Sequence, residues 1–225
     1  MFTITEKWKT VYPGAAAGIL MMSDVANPKN HAALDKRKEE LENQLRSRFS
    51  GYDRTALKAL PVFQAYIAYY KRFKKSYHVQ SQLESVVFKG KSIPRVAALV
   101  EAMFMAELKN FLLTAGHDLE IVQLPVKIDV ATGSERYIRI NGQEQQLKPD
   151  DMMIADVQGV LSSIIYGPDR RTQITSETRQ ALFTVYAPPG IQEQTVYEHL
   201  EDIRDNVLLI SPKAEVELLK VYSAE

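Results

Sequence analysis

The chain contains no cysteine in its 225 residues. It can therefore form neither a disulfide framework nor a thiolate metal site, and it has no cysteine nucleophile. Its longest apolar run, residues 15–22, is far shorter than the roughly 20 residues that a membrane span requires. Residues 1–10 also lack the basic start and apolar core of a secretory signal. We therefore expect a cytoplasmic protein without a membrane partner.

Standard catalytic motifs are missing too. The sequence has no glycine-rich phosphate loop, no HExxH motif and no nucleophile elbow. Its four histidines are scattered, with no pair at the spacing of metal ligands: His31, His78, His117 and His199. We therefore predict neither a metal site nor a cofactor.

The formal net charge is zero, but the charges are unevenly distributed. Residues 29–95 hold 15 Lys and Arg against 6 Asp and Glu, whereas residues 96–225 hold 11 against 20. Within the basic half, residues 61–95 interleave aromatic and basic side chains. Aromatic rings can stack on unpaired bases while Lys and Arg neutralise phosphates. The pattern predicts an RNA-binding surface made of Lys71, Arg72, Lys74, Lys75, Lys89, Lys91 and Arg95.

The same aromatic residues also fit a buried helical face, because five apolar side chains follow the i, i+3, i+4, i+7 spacing: Phe63, Tyr66, Ile67, Tyr70 and Phe73. We interpret this stripe as core. Tyr69 falls on the polar side of the same helix with the neighbouring lysines, which keeps it as a candidate RNA contact. A run of charge of this kind is also typical of an ordinary solvated surface.

Helices are predicted in the first half of the chain and strands in the second. Helical spacing and breakers indicate helices over about residues 28–49, 61–73, 77–88 and 94–109. After residue 116 short apolar or β-branched segments alternate with turns, and Asn141-Gly142 is the strongest hairpin signal. We predict an α+β fold in which helices cover a mixed β-sheet. Residues 1–225 would form one composite domain, helix-rich over 26–110 and strand-rich over 111–225.

Two polar segments have the composition of a binding site. One is residues 77–85, and the other is residues 156–178, which follow a predicted strand. Loops fixed by a sheet yet exposed to solvent often carry function. We predict that they line one pocket with Tyr77, Asp156, Tyr166, Arg170, Arg171 and Thr172. The structural alternative is an ordinary ion pair between Asp169 and Arg171 and a helix cap at Thr175 and Thr178.

Several segments resemble a known protein module. IADVQGVLSSIIYGPDRRTQITSETRQALF, from Ile154 to Phe183, is similar to the strand-loop-strand segment of the B3/B4 module in the β subunit of phenylalanyl-tRNA synthetase. IPRVAALVEAMFMAEL, from Ile93, resembles the proline-containing helix of that module. PVFQAYIAYYKRF and YHVQSQLESVVFKGKSIP resemble freestanding proteins made of this module alone. The resemblance covers about residues 14–222 and implies the mixed α/β fold of that module.

The resemblance also implies a function. In the synthetase the module hydrolyses tyrosine wrongly attached to the phenylalanine tRNA, so a freestanding relative would bind tRNA or aminoacyl-tRNA and hydrolyse mischarged aminoacyl-tRNA in trans. The editing residues do not carry over. Ala115 stands at the position of the module's histidine, Arg170 at an acidic position, and Met103 and Phe104 in place of a Thr-Asn pair.

Other groups would therefore have to act in catalysis, and the candidates are His78, Glu84 and Asp169, together with Arg171 and Thr172. Two alternatives stay open. One is a non-catalytic module that binds a free amino acid or a small aromatic metabolite. The other is an interaction protein whose opposed charges pair in an oligomer. The sequence does not determine the oligomeric state.

Overall fold

The structure is a computed structural model that describes residues 2–224. Its helices are α1 (Glu6–Val11), α2 (Ala32–Arg48), α3 (Arg54–Lys58), α4 (Pro61–Arg72), α5 (His78–Lys89), α6 (Ala98–Asn110) and α7 (Glu193–Ile210). Its strands are β1 (Phe2–Ile4), β2 (Ala16–Ser23), β3 (Leu113–Asp118), β4 (Val126–Val130), β5 (Arg136–Ile138), β6 (Glu144–Gln146), β7 (Met152–Asp156), β8 (Gly159–Ser163), β9 (Gly167–Pro168), β10 (Ala181–Ala187) and β11 (Glu215–Ser223).

The strands form two main sheets and a separate hairpin. One sheet has the order β1-β4-β7-β8-β9, in which β1 runs parallel to β4 and the other neighbours are antiparallel. The other is antiparallel, with the order β11-β2-β10-β3. Strands β5 and β6 pair across the turn at Asn141-Gly142, where Gly142 has φ +82°. The predicted α+β fold with mixed sheet and covering helices is confirmed, although the strands divide between two sheets.

Helix α4 directs its aromatic side chains into the core. Pro61 occupies its first turn, where its missing N–H costs no hydrogen bond. The Tyr66 ring stacks on Tyr77, with centroids 4.2 Å apart and planes 4° apart. Tyr69 is 3% exposed and its hydroxyl donates to Asp151 Oδ1 at 2.7 Å. The prediction of Tyr69 as an exposed RNA contact was therefore wrong, because a sheet residue far along the chain covers that side of the helix.

Helix α6 leads directly into edge strand β3, and this connection positions the site described below. The helix begins at Ala98, later than the predicted start near Pro94. It ends at Phe111, which adopts a left-handed conformation with φ +63° and reverses the chain into β3. Neither β3 nor the first elements β1 and α1 were predicted from the sequence. That residues 1–225 form one composite domain stays a prediction.

Within residues 2–224 no helix is both long and apolar enough to cross a membrane. The same part of the chain holds no group of three or more His, Asp or Glu side chains close enough to share a metal ion.

Candidate functional site

A cavity of about 740 Å³ lies between helix α6, strand β3 and residues 163–176; we refer to it as the main cavity. Helix α6 contributes one stripe of side chains to its wall at helical spacing: Val100, Met103, Phe104 and Glu107. The first three are apolar and the last is acidic. The cavity is large enough for a ligand of ordinary metabolite size.

Gly116 of β3 lines the main cavity opposite helix α6, and its lack of a side chain lets β3 lie close to Met103 and Ile174. A Cβ at this position would lie 2.8 Å from Ile174 Cδ1 and 3.1 Å from Met103 Sδ, both of which also line the main cavity. These distances are shorter than van der Waals contact. The absence of a side chain therefore lets strand, helix and loop meet around the cavity.

Glu107 places a carboxyl group on the wall of the main cavity. The residue is 2% exposed, and its Oε1 accepts a hydrogen bond from Thr114 N at 2.7 Å. Burial raises the pKa of Glu107 to about 8, although the hydrogen bond from Thr114 opposes this shift. The cavity therefore contains a carboxyl group whose protonation changes near neutral pH.

A chain of hydrogen bonds supports the wall behind Tyr186. The Tyr186 hydroxyl lies 2.6 Å from Ser162 Oγ, and Ser162 Oγ lies 3.1 Å from His117 Nε2. His117 Nδ1 lies 2.8 Å from Thr172 Oγ1. Burial lowers the pKa of His117 to about 3, so the ring is neutral at ordinary pH. The network joins the two sheets and reaches the main cavity through Tyr186, whereas its other members do not line the cavity.

Basic residues lie at the rim of the main cavity. Lys29 is exposed and Arg139 is half-buried, and both line the cavity together with His78 at the start of α5. The His78 ring meets the edges of Tyr70 and Tyr77, with centroids 6.4 Å and 5.9 Å away, and its other side is open. The rim is thus cationic, whereas the deeper wall carries an acid.

A second cavity, of about 680 Å³, has five cations in its lining: Arg54, Lys58, Lys71, Lys74 and Lys75; we refer to it as the lysine cleft. Its single acidic residue, Glu84, pairs with Arg54 at 3.1 Å. The four lysines form no ion pair within residues 2–224. Four of its five cations therefore have no acidic partner within residues 2–224, which leaves the cleft with an excess of positive charge.

Lys75 connects the two cavities. It lines the lysine cleft, and its Nζ lies 5.9 Å from the centroid of the Tyr166 ring, which lines the main cavity. That distance is within the range of a cation–π interaction. An anionic chain in the cleft would therefore be close to the rim of the main cavity.

A third group of predicted residues forms an ion-pair cluster outside both cavities. Arg171 donates to both oxygens of Asp156 at 3.0 Å and lies 3.5 Å from Asp169. Thr172 donates to Asp169 through its hydroxyl and its backbone N–H. Burial alone would raise the pKa of Asp156, but hydrogen bonds from Gln123 N and Arg171 hold it below its usual range. The cluster fixes the segment that carries the cavity wall.

The predicted site residues thus divide among several places. His78 and Tyr166 line the main cavity. Lys71, Lys74, Lys75, Tyr77 and Glu84 line the lysine cleft. Asp156, Asp169, Arg171 and Thr172 form the ion-pair cluster. Lys91 lines a third cavity of about 410 Å³ next to His78. Arg72, Lys89, Arg95 and Arg170 line none of the three. The two polar segments meet at the main cavity, to which the first contributes His78 and the second contributes parts of residues 163–176. The catalytic, RNA-binding and pocket roles of these residues stay predictions.

Sequence reasoning missed Glu107 in the main cavity and Arg54 and Lys58 in the lysine cleft. Glu107 had a detectable signal, because it falls three or four positions after Met103 and Phe104 on a stripe that is otherwise apolar. An acid at such a position is either paired in the core or facing a cavity. Arg54 and Lys58 belong to the short helix α3, whose contact with α5 cannot be read from local spacing.

Comparison with known proteins gives one family. A family model described as B3/4 domain matches residues 64–201. A crystal structure of an N-terminal fragment of the phenylalanyl-tRNA synthetase β subunit from Pyrococcus horikoshii is similar with a TM-score of 0.48 and 12% sequence identity. The similarity covers 98% of this chain and 50% of that chain, so this chain spans about half of the fragment. No curated protein matches the sequence.

Proposed function

The chain belongs to the B3/4 domain family, as the resemblance predicted, and from this premise we propose that it binds the aminoacylated end of a tRNA. The sugar-phosphate backbone would lie in the lysine cleft, and the aminoacyl group would enter the main cavity. The single observation that carries the proposal is the adjacency of the two cavities, since Lys75 Nζ in the lysine cleft lies 5.9 Å from the centroid of the Tyr166 ring in the main cavity.

The lysine cleft supports the RNA part of the proposal. Lysines without an acidic partner in the protein are free to pair with phosphates. Each such pairing releases counterions from the nucleic acid, and this release drives the association. Of the predicted RNA contacts, Lys71, Lys74 and Lys75 lie here, and the structure adds Arg54 and Lys58. Five cations in one cleft suit a short single-stranded segment such as the end of a tRNA.

The main cavity supports the aminoacyl part. Its wall is mostly apolar along α6, which suits an apolar side chain, and its rim carries Lys29 and Arg139. A terminal nucleotide at this rim would place its phosphate near cations and its ester inside the cavity. No cofactor is needed for this mode of binding.

Hydrolysis of the ester is the activity that we propose for the site. A water molecule would lose a proton to a base and attack the ester carbonyl carbon, and the bond to the ribose oxygen would then break as the base returns the proton to that oxygen. Of the three candidate catalytic residues, only His78 lines the main cavity. Glu84 lies in the lysine cleft, where it pairs with Arg54, and Asp169 is buried and accepts a hydrogen bond from Thr172. We assign the base to His78. We place the function in the cytoplasm and in one composite domain over residues 1–225.

RNA binding can be tested by fluorescence anisotropy with labelled tRNA across a salt series. The triple variant Lys71→Glu/Lys74→Glu/Lys75→Glu should weaken binding by at least about tenfold and reduce the slope of log affinity against log salt by about two to three. The control is Lys36→Glu/Lys127→Glu/Lys213→Glu, with the same charge change at exposed positions outside the three cavities. Equal losses in the two variants would refute binding at the lysine cleft.

Hydrolysis can be tested by following the loss of aminoacyl ester from a panel of correctly and wrongly charged tRNAs. We expect acceleration for at least one charged tRNA, and His78→Asn should remove it while leaving tRNA affinity unchanged. Ester loss no faster than in buffer for every charged tRNA would refute the activity and leave the binding proposal to the anisotropy experiment.

A further inference from the structure

Glu107 has an unused oxygen in the main cavity. Its Oε1 accepts from Thr114 N, whereas Oε2 has no hydrogen-bond partner within residues 2–224. Oε2 is also not among the side-chain atoms that are sealed from solvent without a partner. Because Glu107 lines the cavity and the rest of the residue is buried, this oxygen faces the cavity interior.

The surroundings of Glu107 leave a negative charge there poorly compensated. No Lys or Arg lies within 4.0 Å of it in the described residues, since Glu107 takes part in none of the ion pairs. Carboxylates buried without a cation are unfavourable and become stable when a cation arrives. Burial accordingly raises the pKa of this carboxyl group to about 8.

We infer that the Glu107 carboxylate binds a primary ammonium group of the ligand in the main cavity. The inference rests on the proposed function in taking this cavity as the ligand site, and it narrows the ligand class to apolar α-amino esters or amines. A neutral aromatic metabolite would leave the charge of the carboxylate uncompensated.

The charges of the cavity also orient such a ligand. Glu107 lies on the deeper wall, whereas Lys29 and Arg139 lie at the rim. A molecule with an ammonium group at one end and a phosphate at the other is therefore bound with the amine inside and the phosphate outside. An aminoacyl group at the end of an RNA has this arrangement.

Few other groups can titrate together with Glu107. The titratable and charged groups that face it or share its cavity are Lys29, Tyr66, Tyr70, Tyr77, His78, Arg139, Tyr166, Tyr186 and His199. Burial raises the pKa values of the five tyrosines above their usual value. Loss of solvation lowers the pKa of His78, and burial lowers that of His199 to about 3. A proton exchanged on binding between pH 7 and 8 is therefore assigned to Glu107.

A matched pair of probes tests the inference without RNA. Phenethylamine is cationic at pH 8, since aliphatic amines have pKa values near 10, and phenethyl alcohol is a neutral molecule of similar size. We expect the wild-type protein to bind the amine about 10- to 100-fold more tightly than the alcohol by titration calorimetry. The methyl resonance of Met103, which lines the cavity, should shift with both probes.

Glu107→Gln should reduce amine affinity to the level of the alcohol and leave alcohol affinity unchanged, because Gln can still accept from Thr114 N. Glu39→Gln, at an exposed position of α2 outside the three cavities, is the control and should change neither. Equal affinity of wild type for the two probes, unchanged amine binding by Glu107→Gln, or failure of both probes to bind at millimolar concentration would each overturn the inference.

A measurement on the wild-type protein covers the case in which Glu107→Gln does not fold. Amine binding below pH 8 should release a proton, which calorimetry detects by comparing buffers of different ionisation enthalpy. The absence of proton release would also overturn the inference. These experiments use no RNA, so they are independent of the tRNA-binding test. Selective amine binding without tRNA binding would refute the proposed function alone. Binding of tRNA without selective amine binding would refute this inference alone.

Discussion

The main cavity and the lysine cleft are similar in size but opposite in chemistry. The main cavity has apolar walls, one buried carboxyl group and a supporting network of buried hydroxyl and imidazole groups. The lysine cleft carries four exposed lysines, and one ion pair crosses it. In the main cavity, the ionisation of one buried carboxyl group depends strongly on the groups around it. In the lysine cleft, each exposed lysine is solvated and interacts only weakly with the other charges.

Under the proposed function, this difference would divide recognition between the two regions. Solvated lysines provide affinity that is insensitive to sequence and falls with salt. A buried carboxyl group in an apolar wall instead distinguishes ligands that carry a cation from those that do not. We therefore expect the cleft to determine how strongly a polynucleotide is held and the cavity to determine which terminal group is accepted.

The largest expected contrast is in the free energy of unfolding, between Tyr66, which supports Tyr186 in the wall of the main cavity, and a lysine of the cleft. Tyr66 is completely buried, its hydroxyl donates to Tyr186 O, and it accepts from Leu113 N at 2.9 Å. Tyr66→Ala should lower the free energy of unfolding by about 4 kcal/mol, since it creates a cavity and leaves two backbone groups unpaired. Lys71→Ala should change it by less than about 0.5 kcal/mol. Urea unfolding measures both values, and similar losses would contradict the contrast.

An effect that is smaller over any one pH unit separates the regions by pH. Burial raises the pKa of Glu107 from 4.5 to about 8, so between these values the folded protein keeps a proton that the unfolded chain has lost. The contribution of Glu107 to stability is thus full below pH 4.5 and decreases as pH rises, by at most about 1.4 kcal/mol for each pH unit. Glu107→Gln removes this dependence.

The measurement is the free energy of unfolding of wild type and Glu107→Gln at several pH values between 4.5 and about 8. The value for wild type minus that for the variant should decrease steadily as pH rises. Other titrating groups, such as Asp151 and His117, are present in both proteins and cancel in this difference. A constant difference would show that Glu107 does not titrate in this range.

Local sequence signals predicted much of the fold, because several elements are bounded by residues with special backbone preferences. Helix α5 ends at Gly90, which adopts φ +63°, and Asn141-Gly142 forms the predicted turn between β5 and β6. Asp53 accepts from Ala56 N and caps helix α3, and aspartate is a favoured residue at this position of a helix. These features depend on neighbours within a few residues.

Other features depend on contacts between distant residues, and sequence spacing could not predict them. Strand β3 reads LTAGHD, which has neither alternation nor a long apolar run, and all six residues are buried on pairing with β10. Tyr69 became buried because Asp151, 82 positions away, accepts its hydroxyl. The candidate site was predicted in part, since His78 and Tyr166 lie at the main cavity while Glu107 was overlooked.

The smallest predicted effect concerns the border between the two regions. Lys75 Nζ lies 5.9 Å from the centroid of Tyr166, and at an exposed position such a cation–π contact contributes about 0.5 kcal/mol. A double-mutant cycle of Lys75→Met and Tyr166→Leu, measured by urea unfolding, should therefore give a coupling energy of about this size. The same cycle with Lys71→Met in place of Lys75→Met is the control, and its two substitutions should be additive within about 0.3 kcal/mol. Equal coupling in the two cycles would show that Lys75 does not contact Tyr166 in solution. The lysine cleft and the main cavity would then lack the contact through which one bound tRNA end is proposed to occupy both.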